Sequence, residues 1–539
     1  MPTVIVDGTE IEIGADERLN CIEAARRAGV EIPHYCWHRG LSVVASCRMC
    51  LIETGTRDAA TGKVTMMPKL VPGCQTPAKD GTVIVTNTAL VKESRARVEE
   101  ALLIDHPIDC SICDKAGECL LQDYHFEHGQ AERRTDLNPF HSRRRDVGPT
   151  VTLFVDRCIM CTRCVRFTRE VSGTSELMVV NRGAKEEIDV FPGFPLDNKL
   201  SGNVVDLCPV GALGDKDFLY QQRVWFLKRE NNVCGGCSAG CSITTEHNQD
   251  SVYRLKPREN PHVNRWWMCD DGRYGWHHLH SPERIVAPGR LVSSGGEREA
   301  AEWHALVPRL REELSGAGRL AVAVSPMLTI EEAWMLCAVA RSIDPKAALF
   351  VGHVPVSGAD EHFPGGFTIR AEKCPNRRGV EAVIGLFDGQ PRGFADLLAG
   401  VSAGEYDAAW ITAAYPAPWI DEPTAEPFGR LRALVVQDLF ESPLSRRATW
   451  TLPAAGFAER AGTWVNVASR AQSFDAAIRP PAGVWPEGRL FWNMLGRRGL
   501  YDPHAVRRQI AESAAAFSAL GGEIPPTGVD LRVDQLAGV

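Results

Sequence analysis

The chain has 539 residues and a formal net charge of −8, with 44% hydrophobic and 24% charged residues. This length predicts several domains, and the composition is that of an ordinary soluble globular protein. The negative charge argues against a nucleic-acid partner. No apolar run approaches the roughly 18 residues of a membrane-spanning helix, and the N-terminus lacks the basic and apolar regions of a signal peptide. We therefore expect a protein of the cytosol, or one that faces the cytosol.

Cysteine is distributed very unevenly along the chain. Eighteen cysteines are present, and sixteen of them precede residue 270. Because thiols stay reduced in the cytosol, cysteines at this density indicate metal ligands before disulfides. The sequence therefore predicts two unlike halves, a cysteine-rich front that binds metal and a cysteine-poor back.

The N-terminal region carries a first set of four cysteines among predicted strands and a helix. Residues 3–13 predict a hairpin, residues 17–28 a helix and residues 82–86 a closing strand. The set consists of Cys36, Cys47, Cys50 and Cys74. This layout is that of a plant-type [2Fe-2S] ferredoxin, although its first cysteine spacing is C-x10-C instead of C-x4-C. A zinc site with four cysteine ligands is the alternative.

Three further residues near this set are predicted not to be ligands. Cys21 lies beside small apolar residues of the predicted helix and is expected in the core. His34 and His38 flank Cys36 and are expected at the surface or beside the ligands.

A second set combines one histidine with three cysteines. Residues 87–105 predict an amphipathic helix that leads to His106, and Pro107 biases this histidine towards extended backbone. The set consists of His106, Cys110, Cys113 and Cys119. Such a density of thiol and imidazole groups indicates a metal centre. Zinc also accepts three cysteines and one histidine, so this set alone leaves the metal open.

A third set contains the start of a bacterial ferredoxin motif. Cys158, Cys161 and Cys164 follow each other at C-x2-C-x2-C spacing, which is typical of a [4Fe-4S] run. The Cys-Pro that normally completes the run occurs far downstream as Cys208-Pro209, so Cys208 is the expected fourth ligand. Zinc sites generally use paired C-x2-C units, and a third cysteine at this spacing disfavours zinc.

The fourth set lies among predicted antiparallel strands. It consists of Cys234, Cys237, Cys241 and Cys269. Residues 224–229 and two segments within 242–257 predict the strands. Two glycines after Cys234 leave room for backbone that wraps a cluster and directs amides at its sulfurs. Four such sets in one chain favour iron–sulfur clusters over four independent zinc sites.

Several clusters in one chain indicate stepwise one-electron transfer, because cluster type, ligand charge and hydrogen bonding spread their potentials widely. His106 replaces an anionic thiolate by a neutral imidazole, which by itself raises the potential of its cluster. No G-x-G-x-x-G motif follows a strand in the front half, so electrons are expected to enter from another subunit.

In their order and spacing, the four sets resemble the G subunit of NADH-quinone oxidoreductase, respiratory complex I, over roughly residues 1–280. The resemblance implies a [2Fe-2S] cluster at the first set, [4Fe-4S] clusters at the other three, and no catalytic residue on this chain. It also implies that electrons pass from the NADH/FMN-binding subunit to the first set, then to the third, then to the His106 set. They leave to a ferredoxin-like subunit with two [4Fe-4S] clusters. The fourth set lies off this path and is expected to be structural or a relic.

The back half resembles the molybdopterin oxidoreductases. Residues 318–325, 406–414 and 431–440 predict buried strands, and a helix capped by Thr329 follows the first of them. This is a doubly wound α/β pattern. The Leu-Pro, Glu, Gly-Thr and Asn series of that family is matched by Leu452-Pro453, Glu459, Gly462-Thr463 and Asn466.

Three features argue against a bound molybdopterin. Residues 286–539 are too few for the catalytic scaffold of that family. Asp271 replaces the lysine that the family has two positions after the last cluster cysteine. Cys337 is expected in the core of an apolar helix and Cys374 in a loop without a partner, so neither is expected to bind molybdenum.

These patterns predict an α+β and α/β multidomain protein, with ferredoxin-like iron–sulfur domains followed by a truncated doubly wound α/β domain. The first three predicted domains are a [2Fe-2S] β-grasp domain (1–86), a helical segment with the His/Cys [4Fe-4S] site (87–145) and a [4Fe-4S] ferredoxin-like domain (146–222). The last two are a molybdopterin-oxidoreductase-type [4Fe-4S] domain (223–285) and a Rossmann-like domain without cofactor (286–539).

The predicted function is electron transfer and scaffolding in the peripheral arm of NADH-quinone oxidoreductase, towards quinone, coupled to proton translocation by the whole complex. The expected location is the cytoplasmic side of the bacterial inner membrane. Two alternatives remain. One is an electron-transfer subunit of an NAD-linked hydrogenase or formate dehydrogenase, which shares the front half; the other is a multi-zinc scaffold protein.

Overall fold

The computed structural model describes residues 1–132, 134–139, 144–183, 185–292 and 298–531. The chain forms two compact units. The first comprises Met1–Phe226 with Phe363–Gly366, and the second comprises Leu227–His362 with Phe367–Val539. The first three ligand sets therefore belong to one unit and the fourth set to the other.

The first unit begins with a six-stranded sheet and a short helix. The elements are β1 (Thr3–Val6), β2 (Thr9–Glu12), β3 (Leu19–Asn20), α1 (Cys21–Arg27), β4 (Leu51–Arg57), β5 (Val64–Met66), β6 (Val71–Pro72), β7 (Pro77–Ala78) and β8 (Thr82–Val85). The sheet has the order β2-β1-β8-β4-β5, with β6 paired to β4. Ile22 and Ala25 of α1 share an apolar core with Val4, Val6 and Ile84 of the sheet.

The remainder of the first unit is built from short elements that frame the ligand loops. They are α2 (Ala89–Asp105), α3 (Leu120–His128), β9 (Arg144–Asp146), β10 (Val151–Phe154), α4 (Arg163–Phe167), β11 (Leu177–Val180), β12 (Glu187–Val190), α5 (Asn203–Leu207) and β13 (Leu213–Asp215). β10 lies between β13 and β9 in an antiparallel sheet, and β11 pairs with β12. α2 ends at His106, whose backbone is extended (φ −76°, ψ 125°) because Pro107 follows it.

The second unit opens with the antiparallel strands β14 (Lys228–Val233), β15 (Ser242–Asn248) and β16 (Ser251–Pro257), followed by α6 (Asp270–Tyr274). Its other elements surround a larger sheet. They are β17 (Gly289–Leu291), β18 (Arg298–Ala300), α7 (Trp303–Ala317), β19 (Leu320–Val324), α8 (Ile330–Ile343), β20 (Ala348–Val351), β21 (Glu361–His362), β22 (Thr368–Ile369), α9 (Arg377–Asp388), α10 (Phe394–Ser402), β23 (Ala408–Thr412), α11 (Glu422–Ala425), β24 (Ala433–Asp438), α12 (Pro443–Arg447), β25 (Trp450–Pro453), β26 (Gly462–Val465), β27 (Arg470–Phe474), α13 (Glu487–Met494), α14 (Pro503–Ser513) and β28 (Val529–Asp530).

The larger sheet has seven strands in the order β18-β17-β25-β24-β23-β19-β20. The five strands from β25 to β20 are parallel to one another, and β17 is antiparallel to both β18 and β25. Alternate residues of β19 belong to two different apolar clusters, Val322 to one and Ala321 to the other. Both faces of the sheet are therefore covered at β19, which explains why β19 and β20 consist only of apolar residues.

Several predictions from the sequence are tested by these elements. The hairpin of residues 3–13 is confirmed, and so is the burial of Cys21 and Cys337. The predicted start of the first helix is wrong. The helix begins at Cys21, because the Asn20 side chain accepts a hydrogen bond from Glu23 N at 3.0 Å and caps it there.

The strand predicted at residues 224–229 is also misplaced. Residues Val224–Phe226 form a 3-10 turn, and the strand begins at Lys228. In the part of the chain that the structure describes, no helix combines the length and apolar character needed to cross a membrane.

Candidate metal centres

The four cysteines of the first set lie close together, since Cys74 interacts with Cys36, Cys47 and Cys50. Cys36 N donates a hydrogen bond to Cys47 Sγ at 3.5 Å, and the Cys50 and Cys74 thiols are hydrogen-bonded to each other. The loop between Cys36 and Cys50 turns through Arg48, whose φ is +60°. A residue other than glycine in the left-handed backbone conformation is strained, and such strain is typical of functional sites. The loop therefore holds its cysteines at an energetic cost that a bound group would offset.

The second set spans the gap between α2 and α3. His106 ends α2, and Cys119 immediately precedes α3. The Nδ1 atom of His106 is buried and has no hydrogen-bond partner among the described residues. Burial lowers the pKa of His106 to about 4, so the ring is neutral near pH 7. A neutral imidazole with an unpartnered buried nitrogen has the chemistry of a metal ligand.

The cysteines of this set differ in exposure, and glycine makes room for one of them. Cys119 is buried, Cys113 is half-buried and Cys110 is exposed. A Cβ atom at Gly211 would lie 2.3 Å from Cys113 Sγ, so only glycine fits beside that thiol.

The third set surrounds a small cavity. Cys158, Cys161, Cys164 and Cys208 all line it, together with apolar residues such as Leu153 and Ile188. Met160 N donates to Cys158 Sγ at 3.4 Å, from a residue with a φ of +51°. The distant Cys208 is therefore brought to the C-x2-C-x2-C loop.

Two buried arginines beside the third set were not identified from the sequence. Arg163 donates to Trp37 O at 2.6 Å and to Leu207 O at 3.2 Å. Arg166 donates to Cys161 O at 3.2 Å and also to Cys36 O. These guanidinium groups connect the loop of the first set to the loop of the third. Their position inside and just after the C-x2-C-x2-C motif is the only signal that the sequence offers for them.

The third set is also joined to the second. Leu120, the residue after Cys119, donates from its amide to Pro209 O at 2.9 Å, and Pro209 follows Cys208. Gly211, which makes room for Cys113, lies on the same segment. The third set thus contacts the protein segments of both other sets in this unit.

The fourth set lines a cavity of about 360 Å³ in the second unit. Gly236 N points at Cys234 Sγ (3.5 Å), and Gly272 N at Cys269 Sγ (3.4 Å). Amides directed at thiolate sulfurs stabilise their negative charge. The Gly236 amide agrees with the prediction that a glycine after Cys234 directs its amide at a sulfur, whereas Gly272 was not identified from the sequence.

Cys374 lies in a loop, as predicted, but it is not without a partner, because its thiol interacts with the Glu372 carboxylate. Its side chain is fully buried, in an apolar cluster with Met327 and Leu439. The Glu372 carboxylate and the Cys237 thiol, a member of the fourth set, both raise its pKa together with burial. The chain folds residues 372–374 against the fourth set, a contact that local sequence does not reveal.

The donor groups fit iron–sulfur clusters. All eighteen cysteines are free thiols. Burial raises the pKa of Cys161 and Cys119 to about 11 and that of Cys234 to about 12, so these thiols ionise near neutral pH only beside a cation. Among the described residues, no group of three or more His, Cys, Asp or Glu side chains is positioned to hold a single metal ion.

Four family models match the chain in the order of the four sets. They are the 2Fe-2S iron-sulfur cluster binding domain (residues 2–89), the NADH-ubiquinone oxidoreductase-G iron-sulfur binding region (95–134), the ferredoxin-like domain of NADH-quinone oxidoreductase subunit 3 (148–214) and the molybdopterin oxidoreductase Fe4S4 domain (227–281). Each matched region contains one set.

Curated relatives carry the name that these motifs suggest. The G subunit of NADH-quinone oxidoreductase from Rickettsia felis is 33% identical over 333 residues, which is 61% of this chain and 47% of the relative. That from Streptomyces coelicolor is 33% identical over 63% of this chain and 39% of its own length. This chain resembles the G subunit of NADH-quinone oxidoreductase. The NADH-ubiquinone oxidoreductase 75 kDa subunit of Reclinomonas americana is 34% identical over 61% of the chain and 46% of the relative.

The resemblance to the G subunit has a limited extent. The chain spans about half the length of the curated relatives it matches. A solved structure, the NAD+-reducing [NiFe]-hydrogenase in the H2-reduced state, is 27% identical to the chain. The match covers 41% of this chain and 91% of the hydrogenase chain. Its TM-score is 0.34, which is too low to support a structural comparison.

Proposed function

We propose that this chain is an iron–sulfur electron-transfer and scaffold subunit of the peripheral arm of NADH-quinone oxidoreductase. In this role it takes electrons from the NADH/FMN-binding subunit and passes them towards quinone, while the whole complex couples the transfer to proton translocation. The chain itself carries no complete active site. Its place is then in a membrane-associated complex, on the cytoplasmic side, with the two-cluster ferredoxin-like subunit as its acceptor.

The proposed ligands are the four sets. A [2Fe-2S] cluster is assigned to Cys36, Cys47, Cys50 and Cys74. Three [4Fe-4S] clusters are assigned to His106, Cys110, Cys113 and Cys119, to Cys158, Cys161, Cys164 and Cys208, and to Cys234, Cys237, Cys241 and Cys269. When bound, these clusters supply one-electron storage. The protein binds them, directs amides at their sulfurs and shields them from water.

The observation that carries the proposal is the pattern of contacts among the first three sets. Arg166 bridges the backbone at Cys36 and Cys161, and Leu120 binds the segment at Cys208. The third set therefore adjoins the first and the second, which is the arrangement needed for a path from first to third to second. The exposure of Cys110 supports the second set as the exit.

The second unit is proposed to act as a scaffold. Its mainly parallel sheet, covered on both faces, supports the interpretation of residues 286–539 as a truncated form of the doubly wound domain of molybdopterin oxidoreductases, without the pterin. The fourth set belongs to this unit, whereas the three sets of the proposed path belong to the first. We also propose that the chain is divided into the five domains predicted from the sequence.

Low-temperature electron paramagnetic resonance of the reduced protein, combined with iron and acid-labile sulfide analysis, tests the clusters. One [2Fe-2S] signal and three [4Fe-4S] signals are expected. About four zinc ions without sulfide would contradict the assignment. Purification from the native host tests the partners, since membrane-arm subunits are expected to co-purify, whereas a hydrogenase or formate dehydrogenase subunit would contradict the proposed complex.

A further inference from the structure

Lys373 reaches the cavity of the fourth set from a distant part of the chain. It lines the cavity together with the four cysteines, and its Nζ lies 4.0 Å from Asp271 Oδ2. Asp271 follows Cys269 by two residues and also lines the cavity. Among the lysines and arginines of the described chain, Lys373 is the one that lines this cavity. The charge that Asp271 brings to the site is therefore opposed by a lysine from elsewhere.

The backbone that carries Lys373 is attached to the cysteine loop. Ser238, which follows Cys237, donates from its amide to Glu372 O at 2.9 Å, and Lys373 N donates to Pro355 O at 2.8 Å. Cys374, the next residue, is fully buried. The backbone at Lys373 is therefore held beside the cysteine loop of the fourth set.

The two charges of the pair differ in exposure. The Lys373 side chain is 27% exposed, whereas that of Asp271 is 71% exposed. Water screens the aspartate more strongly than the lysine, so Lys373 contributes more to the field at the cavity than Asp271 does.

We propose that Lys373 raises the reduction potential of the cluster at the fourth set and takes over the position of the lysine that Asp271 replaces. This inference rests on the proposed function, which assigns a cluster to that set. A one-electron reduction adds one negative charge to a site whose four thiolates are already anionic. A nearby ammonium group stabilises the reduced form more than the oxidised form, and the potential rises.

A redox titration of the whole protein tests the inference, with dithionite as reductant and electron paramagnetic resonance as the readout of each cluster. Lys373→Gln is expected to move the midpoint of the fourth cluster to more negative potential, and Lys373→Arg to leave it near the wild-type value. Asp271→Asn is expected to shift it the other way and by less, because Asp271 is more exposed. The exchange Asp271→Lys with Lys373→Asp is expected to keep a positive charge at the site and a midpoint close to wild type.

Lys346→Gln is the matched control, because Lys346 is an exposed lysine of the same unit, in the turn before β20. It is expected to leave all midpoints unchanged, and the three clusters of the first unit serve as internal references. A fourth-cluster signal whose midpoint responds to neither Lys373→Gln nor Asp271→Asn overturns this inference alone. Absence of that signal from the wild-type protein overturns the inference together with the assignment of the fourth set.

Discussion

Glu331 shows how a single buried carboxyl group ties the stability of the second unit to pH. It is fully buried in α8, and its carboxylate accepts hydrogen bonds from Thr463 N at 2.8 Å and Thr463 Oγ1 at 2.7 Å. Burial raises its pKa from the ordinary 4.5 to about 7. The native state therefore binds this proton more tightly than the unfolded state, and the stabilisation is complete below pH 4.5 and lost as the pH rises through 7.

Glu331→Gln is expected to remove this pH dependence. The thermal midpoint of the wild type should fall more steeply between pH 5 and pH 8 than that of the variant, measured by calorimetry on the complete chain. Glu312→Gln, a change of an exposed glutamate on α7, should keep the wild-type slope. Equal slopes for Glu331→Gln and the wild type would mean that Glu331 is ionised throughout this range.

Gly211 lies beside the Cys113 thiol and leaves no room for a larger side chain. A Cβ atom there would lie 2.3 Å from Cys113 Sγ, so Gly211→Ala must displace the thiol. We expect the variant to lose the electron paramagnetic resonance signal of the cluster at the His106 set while keeping the others. Gly385→Ala is the control, since a Cβ at that helical glycine meets no atom within 4 Å. Retention of all four signals by Gly211→Ala would contradict the placement of Cys113.

The sequence predicted individual ligand residues wherever these ligands form a motif of characteristic spacing. The C-x2-C-x2-C motif and the Cys-Pro signature indicated that Cys158 and Cys208 belong together, and both line the same cavity. Contacts between residues that are far apart in the sequence are not indicated by any motif. The links from Arg166 to Cys36 and from Lys373 to Asp271 join residues that are far apart in sequence, and only the fold brings them together.

At the scale of elements, the helix α2 positions His106 at its C-terminal end. The helix is capped by Thr88, whose hydroxyl accepts from Val91 N at 3.3 Å and donates to Glu53 Oε1 at 3.1 Å. Thr88→Ala removes both hydrogen bonds. We expect the first turn of α2 to lose about 1 kcal/mol, so amide exchange there should be roughly fivefold faster. Hydrogen–deuterium exchange with mass spectrometry measures this.

Thr88→Ser retains the hydroxyl and is the control for the cap. Its exchange at Val91 should remain close to wild type, because serine caps helices as well as threonine does. If Thr88→Ala also exchanged at the wild-type rate, packing of α2 instead of its cap would hold the first turn.

The boundaries of helices and strands were the feature of the fold that the local sequence pattern predicted least accurately. Glu17 and its neighbours have helical character, yet the Asn20 cap and the pairing of β3 with β7 delay the helix to Cys21. Residues 224–229 are rich in strand-forming side chains, but β14 starts at Lys228, where pairing with β15 begins. In both cases a partner element fixes the boundary, and local propensity does not contain that information.

At the scale of the whole molecule, the proposed path distinguishes the two units. Cys161→Ser removes a ligand of the third set, which adjoins both other sets of the first unit. In the assembled complex we expect NADH-to-quinone transfer to be abolished and reduction of the flavin by NADH to remain. Stopped-flow absorbance of the flavin, together with the steady-state quinone reduction rate, measures both steps.

Cys237→Ser is the matched change in the second unit. It is expected to lower the yield or stability of the complex while the transfer rate per assembled complex stays near wild type. A stable Cys237→Ser complex with transfer as fully blocked as in Cys161→Ser would place the fourth set on the path and contradict the scaffold role.

Arg163 and Arg166 link two loops, and we expect them to affect the rate of electron transfer between the first and third sets as well. Their buried guanidinium groups bind backbone carbonyls at Trp37, Cys36, Cys161 and Leu207. Electron tunnelling weakens steeply with distance, so thermal changes in the gap between two redox centres would make the rate fluctuate. We expect the cross-bracing by these planar cations to keep the gap between the proposed first and third clusters constant. The same contacts should limit the structural reorganisation that accompanies each electron transfer.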